Sequence, residues 1–100
     1  MSKLIRDKIP ELETFQKDKY KIAILEEGEY IEALRDKLLE EYTELKNAKT
    51  IDNYYEECGD IISVAIAIAK EAGLEEKELM DIVHEKAERL GTFDRRICIY

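Results

Sequence analysis

Hydrophobic residues recur at intervals of three and four in the first part of the chain that has a clear pattern. Over residues 29–48 they form a single series, made of Ile31, Leu34, Leu38, Tyr42 and Leu45. This spacing places side chains on one face of an α-helix, with polar residues on the other faces. The pattern therefore predicts a first amphipathic helix over residues 29–48.

A second helix is predicted after the short connection NAKT. Thr50 is a suitable N-cap, and Gly73 marks the end, so the helix covers about residues 50–72. From Ile61 to Ala69 the sequence IISVAIAIA contains only one polar residue. A helix with almost no polar face is expected to be central and buried.

A third helix is predicted over residues 75–90, ending at Gly91. Its apolar face consists of Leu79, Val83, Ala87 and Leu90. Residues 20–25 and 95–100 partly alternate between polar and apolar side chains, which allows a minor two-stranded sheet. The expected fold is one domain over residues 1–100, mainly all-α, arranged as an antiparallel helical bundle.

The second helix is too apolar to be covered by one helical hairpin and the few residues outside it. Part of its surface is therefore expected to dock on another subunit, so that oligomerisation completes the bundle.

Composition and charge narrow the classes of partner. The chain has 100 residues, with 16 basic and 24 acidic side chains and a net charge of −8. This excess of acid argues against nucleic-acid binding, which needs a basic surface, and favours a cation or a nucleotide bound with a metal. The charged start and the shortness of the apolar run predict a cytoplasmic protein with no membrane partner.

Acidic residues gather between the first two helices, with seven in residues 40–60. Glu57 and Asp60 lie about 60° apart on the predicted second helix, on its core-facing side. Glu41 and Glu44 flank the apolar stripe of the first helix. A short connection makes the two helices antiparallel neighbours, so the four carboxylates are able to meet. They would then repel unless a hard cation such as Mg²⁺ lies among them.

The alternative is that all four acids are solvated residues on an acidic helical surface. Glu-x-x-Asp/Glu pairs occur seven times in this sequence, so the spacing alone does not decide.

Three blocks of sequence resemble a known family. EEYTE, followed after twelve residues by ECGD, resembles the Glu-Glu-x-x-Glu … Glu-x-x-Asp signature of the MazG-like all-α nucleoside triphosphate pyrophosphohydrolase superfamily. The segments KLIRDKIPE, YIEALRDKLLEEYTEL and KAERLGTFDRRI are similar to its compact house-cleaning branch, which is related to phosphoribosyl-ATP pyrophosphohydrolase. The likeness extends over nearly the whole chain.

The resemblance implies a site and a reaction. Glu41, Glu44, Glu57 and Asp60 would bind Mg²⁺, for which Mn²⁺ could substitute. Glu40 and Glu41 are the expected catalytic residues, with Glu40 orienting the attacking water. The expected reaction is hydrolysis of nucleoside triphosphates, including modified ones, to a monophosphate and pyrophosphate by a homodimer or homotetramer.

Basic residues are needed for the substrate phosphates. Lys86 and Arg89 match the family's basic positions in the last helix, although the helix dipole also favours cations there. Lys3 and Arg6 in the opening motif are further candidates, with a surface or subunit-contact role as the alternative. The last helix lacks the asparagine usual in larger MazG domains, which leaves recognition of base and sugar unassigned.

Other functions stay open on the sequence alone. One is phosphoribosyl-ATP hydrolysis in histidine biosynthesis, which the acid signature does not separate from nucleoside triphosphate hydrolysis. Another is a helical oligomer that binds a metal or nucleotide without turnover. A third is a structural interaction module, whose stability would not respond to Mg²⁺.

Overall fold

The computed structural model describes residues 3–100 of the protein. A single 3-10 turn at Ile9–Glu11 is followed by three α-helices: α1 (Glu27–Lys46), α2 (Ile51–Glu71) and α3 (Glu76–Leu90). All three predicted helices are present, with ends shifted by no more than a few residues. The all-α prediction is confirmed.

The predicted minor sheet is wrong. Residues 20–25 and 95–100 form no strand, and the described part of the chain contains no β-structure. Their apolar side chains face solvent: Ile24 is 92% exposed and Ile99 is 91% exposed. Alternation makes a segment suitable for pairing but supplies no partner, and an isolated pair of strands is only marginally stable.

The helices meet around α2, which contacts both α1 and α3 and packs more extensively on α1. Residues 47–50 connect α1 to α2, so the two form a helical hairpin. The C-terminal half of α1 therefore lies beside the N-terminal half of α2. The buried apolar residues are Leu34 from α1 and Val64 from α2, both on the predicted stripes.

Local sequence accounts for the helix ends. Capping boxes begin α1 and α3, formed by Glu26 with Glu29 and by Glu75 with Glu78. Two glycines with positive φ, Gly73 at +97° and Gly91 at +85°, follow α2 and α3. Only glycine adopts this backbone region without strain, so each ends its helix where the sequence predicts.

Replacing Thr50 by alanine is expected to destabilise the protein by about 1 kcal/mol. The Thr50 hydroxyl oxygen accepts a hydrogen bond from the backbone N–H of Asn53 at 3.1 Å, and alanine leaves that donor without its cap. Urea unfolding would measure the difference. The matched control is Thr43→Ala inside α1, where alanine has the higher helix propensity. Equal stabilities for the two variants would contradict the capping role.

Much of the apolar surface remains uncovered in one protomer. Ile62 of α2 is 55% exposed, Leu39 of α1 is 65% exposed, and Ile82 of α3 is 53% exposed. Within this one chain α2 is thus buried on its Val64 side and exposed around Ile62, and the prediction that another subunit covers the exposed part stays a prediction. Within residues 3–100, no helix combines the length and hydrophobicity that crossing a bilayer requires.

Candidate metal centre

Three carboxylates meet at the seam between α1 and α2. Glu41 and Glu44 lie on neighbouring turns of α1, and Glu57 lies near the start of α2. One oxygen atom from each lies within 4.8 Å of the other two. The hairpin thus brings together three of the four acids for which the sequence predicts metal binding.

The surroundings of these carboxylates suit a hard cation. Glu41 is only 5% exposed, which is unusual for an acidic side chain. Glu41 Oε2 and Glu57 Oε2 are both buried, and neither accepts a hydrogen bond from any of residues 3–100. A buried oxygen without a partner is costly, and divalent cations such as Mg²⁺ take carboxylate oxygens as ligands. The unpartnered oxygens therefore fit a metal that coordinates both helices.

Crowding changes the acidity of the cluster. The adjoining Glu41 carboxylate, burial and the nearby charge of Glu44 raise the pKa of Glu57 from 4.5 to about 7. Burial and the charge of Glu41 also raise the pKa of Glu44. At pH 7 the Glu57 carboxyl of the metal-free cluster is therefore protonated about half of the time, which offsets part of the repulsion.

Lys37 lies beside these acids, although it is not among the residues that the sequence predicts for the site. Its Nζ atom lies 3.4 Å from Glu40 Oε2 and 3.4 Å from Glu41 Oε1. Its side chain is only 17% exposed. The signal was its position three and four residues before two signature acids, a spacing that places side chains side by side on a helix.

The N-terminal arm, residues 3–12, forms ion pairs with two acids that neighbour the cluster. Lys3 Nζ lies 2.9 Å from Glu40 Oε1, and the Arg6 guanidinium donates to Asp60 Oδ1 at 2.7 Å. Burial raises the pKa of Glu40, but the ion pairs with Lys3 and Lys37 outweigh it and lower that pKa below 4.5. The hydrogen bond with Glu40 raises the pKa of Lys3.

The remaining predicted residues lie apart from the three clustered carboxylates. Asp60 is about one turn further along α2 and pairs with Arg6 instead of joining the group. Lys86 and Arg89 are exposed on α3. Arg89 Nε donates a hydrogen bond to Glu85 Oε1 at 3.0 Å, and both residues belong to α3.

Comparison with known proteins identifies the family. Residues 1–87 match the family described as PRA-PH, phosphoribosyl-ATP pyrophosphohydrolase. The chain belongs to the phosphoribosyl-ATP pyrophosphohydrolase family. That family lies in the MazG-like all-α nucleoside triphosphate pyrophosphohydrolase superfamily, which confirms the resemblance seen in the sequence. Searches of curated proteins and of solved structures gave no match.

Family membership makes the chain a pyrophosphohydrolase, a hydrolase acting on acid anhydrides. Phosphoribosyl-ATP pyrophosphohydrolases generally depend on a metal ion, in keeping with the carboxylates at the α1–α2 seam.

Proposed function

We propose that the protein is a cytoplasmic, Mg²⁺-dependent enzyme that hydrolyses nucleoside triphosphates, including modified ones. Water cleaves the anhydride bond between the α- and β-phosphates, which yields a nucleoside monophosphate and pyrophosphate. One observation carries the proposal: three carboxylates converge within 4.8 Å, and two of them present buried oxygens without partners.

The metal ligands in this proposal are Glu41, Glu44, Glu57 and Asp60. The first three are supported by their convergence, and Asp60 by its position one turn beyond Glu57 on α2. When bound, Mg²⁺ neutralises phosphate oxygens, polarises the phosphoryl group and lowers the pKa of a bound water. Asp60 Oδ1, which accepts a hydrogen bond from Arg6, becomes available to the metal once that contact is broken.

Glu40 is the proposed water-orienting residue, next to Glu41 in sequence. Its carboxylate is partly exposed and held between Lys3 and Lys37, which keeps it ionised and able to accept a hydrogen bond from water. Lys3, Arg6, Lys86 and Arg89 are the proposed phosphate-binding residues. Arginine and lysine are the usual partners of phosphate oxygens because they form charge-assisted hydrogen bonds.

The substrate class is best tested with a panel of nucleotides. The purified protein is incubated with Mg²⁺ and standard or modified nucleoside triphosphates, with phosphoribosyl-ATP in a parallel reaction, and pyrophosphate is measured. Release from triphosphates, abolished by chelator, is the expected result. Release from phosphoribosyl-ATP alone would instead assign the protein to the reaction that gives the family its description.

Two further results, one from the nucleotide panel and one from thermal unfolding, would contradict hydrolysis. Nucleotide or Mg²⁺ binding without product would favour a regulatory binding protein. A melting temperature unaffected by Mg²⁺ would favour a structural module, since a ligand that binds only the folded state must stabilise it.

We expect the protein to be a homodimer or homotetramer in solution. The exposed apolar side chains of all three helices, among them Ile62, Leu39 and Ile82, favour burial between subunits. Light scattering coupled to size-exclusion chromatography would give the mass. A single species of 11.7 kDa, the mass of one chain, would contradict the expectation.

A further inference from the structure

The N-terminal arm joins both helices of the hairpin across the acidic seam. Lys3 contacts Glu40 of α1, and Arg6 contacts Asp60 of α2. The two cations are three residues apart in sequence and reach acids next to the carboxylate cluster. Both basic side chains are 60% exposed, so the ion pairs that hold the arm to the two helices are accessible to solvent.

We propose that the N-terminal arm is a strap over the metal centre, and that entry of a divalent cation displaces Arg6 from Asp60 and leaves its guanidinium free for the substrate phosphates. This inference rests on the proposed function, because it takes Asp60 as a metal ligand. The new element is that docking of the arm competes with metal binding. Arg6 pairs with the Asp60 carboxylate in the metal-free protein and with substrate phosphates once the metal is bound.

Charge balance supports the exchange. Glu40, Glu41, Glu44, Glu57 and Asp60 supply five carboxylates, and Lys3, Arg6 and Lys37 supply three cations, so the fully ionised site carries −2. A divalent cation that takes the place of Arg6 adds two positive charges and removes one, so the site then carries −1 and its carboxylates are better compensated than before. The released guanidinium is then available to an arriving polyphosphate, which also needs cations.

The cost of exchange is low. Arg6–Asp60 is a partly exposed ion pair, and such pairs typically contribute little to stability. A divalent cation bound by several carboxylates offers Asp60 a stronger partner. Reciprocal linkage then requires that removing the arm contact tightens metal binding by the same factor by which the metal loosens the arm.

The test measures the arm and the metal separately on the full chain. Calorimetric titration with Mg²⁺ alone gives the affinity, and the Nε–Hε NMR signal of Arg6, assigned by its loss in Arg6→Gln, reports the arm. Metal-free Asp60→Asn gives the signal position of a released Arg6. We expect Mg²⁺ to move the wild-type signal to that position and to leave the Asp60→Asn signal unchanged.

Calorimetry of a variant pair completes the test. Arg6→Gln is expected to bind Mg²⁺ roughly two- to fivefold more tightly than wild type, the range of a surface ion pair. Arg35→Gln is the matched control, because Arg35 forms an exposed ion pair with Glu32 in α1 and its loss changes the net charge equally. Its affinity should stay near that of wild type.

Two results would overturn the strap, and they are distinguishable. If Mg²⁺ binds while the Arg6 signal keeps its metal-free position, the strap is wrong and the proposed function stands. If calorimetry detects no Mg²⁺ binding at all, the proposed metal centre fails and the strap fails with it.

Discussion

Replacement of Glu57 by glutamine will remove Mg²⁺-dependent pyrophosphate release and the stabilisation that Mg²⁺ confers. Glu57 is the one carboxylate of the three-residue cluster that α2 contributes, so without its charge the metal loses one of the two ligands proposed on the second helix. Weakening a group that only supports a ligand costs about 10- to 100-fold in affinity or activity, so losing the ligand itself should cost at least about 100-fold in kcat/KM.

Thermal unfolding measures the same loss without substrate. Mg²⁺ at 100 times its Kd is expected to raise the melting temperature of wild type by roughly 10–20 °C. Glu57→Gln should show little of this rise at the same Mg²⁺ concentration. Glu56→Gln is the matched control, since Glu56 is the preceding residue of α2, is exposed and lies outside the carboxylate cluster.

Misfolding would not account for the expected result. The neutral amide removes repulsion from Glu41 and Glu44 and is able to donate a hydrogen bond to a neighbouring carboxylate. At pH 8, metal-free Glu57→Gln should therefore melt at or above the temperature of metal-free wild type. Retained activity or an unchanged Mg²⁺ response in this variant would remove Glu57 from the metal centre.

Mg²⁺ affinity will fall as the pH is lowered through about 7. The metal needs the ionised carboxylate, whereas the cluster raises the pKa of Glu57 to about 7, so binding below that pH must release a proton. Each unit of pH below 7 should weaken binding about tenfold while one proton is released. Calorimetry in two buffers of different ionisation enthalpy would count the proton near pH 6 and find almost none near pH 8.5.

The stability of the metal-free protein should fall as the pH rises, whereas Mg²⁺ affinity should rise. The folded-state pKa of Glu57 lies above its ordinary value of 4.5, so the folded protein holds more protons than the unfolded chain between pH 4.5 and 7. The stabilisation that the protonated Glu57 gives the folded state is fully present below pH 4.5 and is lost as the pH rises through 7. Glu40 has a lowered pKa, so its ion pairs stabilise the folded protein above pH 4.5. That stabilisation is lost only as the pH falls below this value.

Glu57→Gln again provides the control for pH dependence. The variant lacks the titrating group, so the fall in metal-free melting temperature between pH 5 and 8 should largely disappear. A wild-type Mg²⁺ affinity that stays constant from pH 6 to 8 would show that Glu57 is already ionised in the folded protein.

The helices and their ends were predictable because they depend on local interactions. The Thr50 cap and the glycines at 73 and 91 act on backbone groups within a few residues, so sequence spacing alone locates them. The minor sheet was not predictable in this way. Pairing of residues 20–25 with 95–100 needs contacts between distant parts of the chain, and alternation carries no information about them.

The candidate site also has a part that local spacing predicts and a part that depends on long-range contacts. Helical spacing placed the carboxylates of Glu41 and Glu57 on facing sides of a hairpin, and the structure brings them together with Glu44. The sequence offered no means of choosing which acids converge. Asp60 belongs to the same sequence motif, but it pairs with Arg6 of the N-terminal arm, 54 residues earlier in the chain.

The sequence by itself determined the helical class, the family and the set of acids from which the proposed metal site is drawn. These follow from periodicity, capping and motif, each of which acts over a few residues. Only the tertiary structure decided that three carboxylates converge and that two of their oxygens are buried with no partner among residues 3–100. It also decided that the N-terminal arm pairs with Glu40 and Asp60. Such features depend on distances between segments remote in the chain, and those distances exist only once the helices pack.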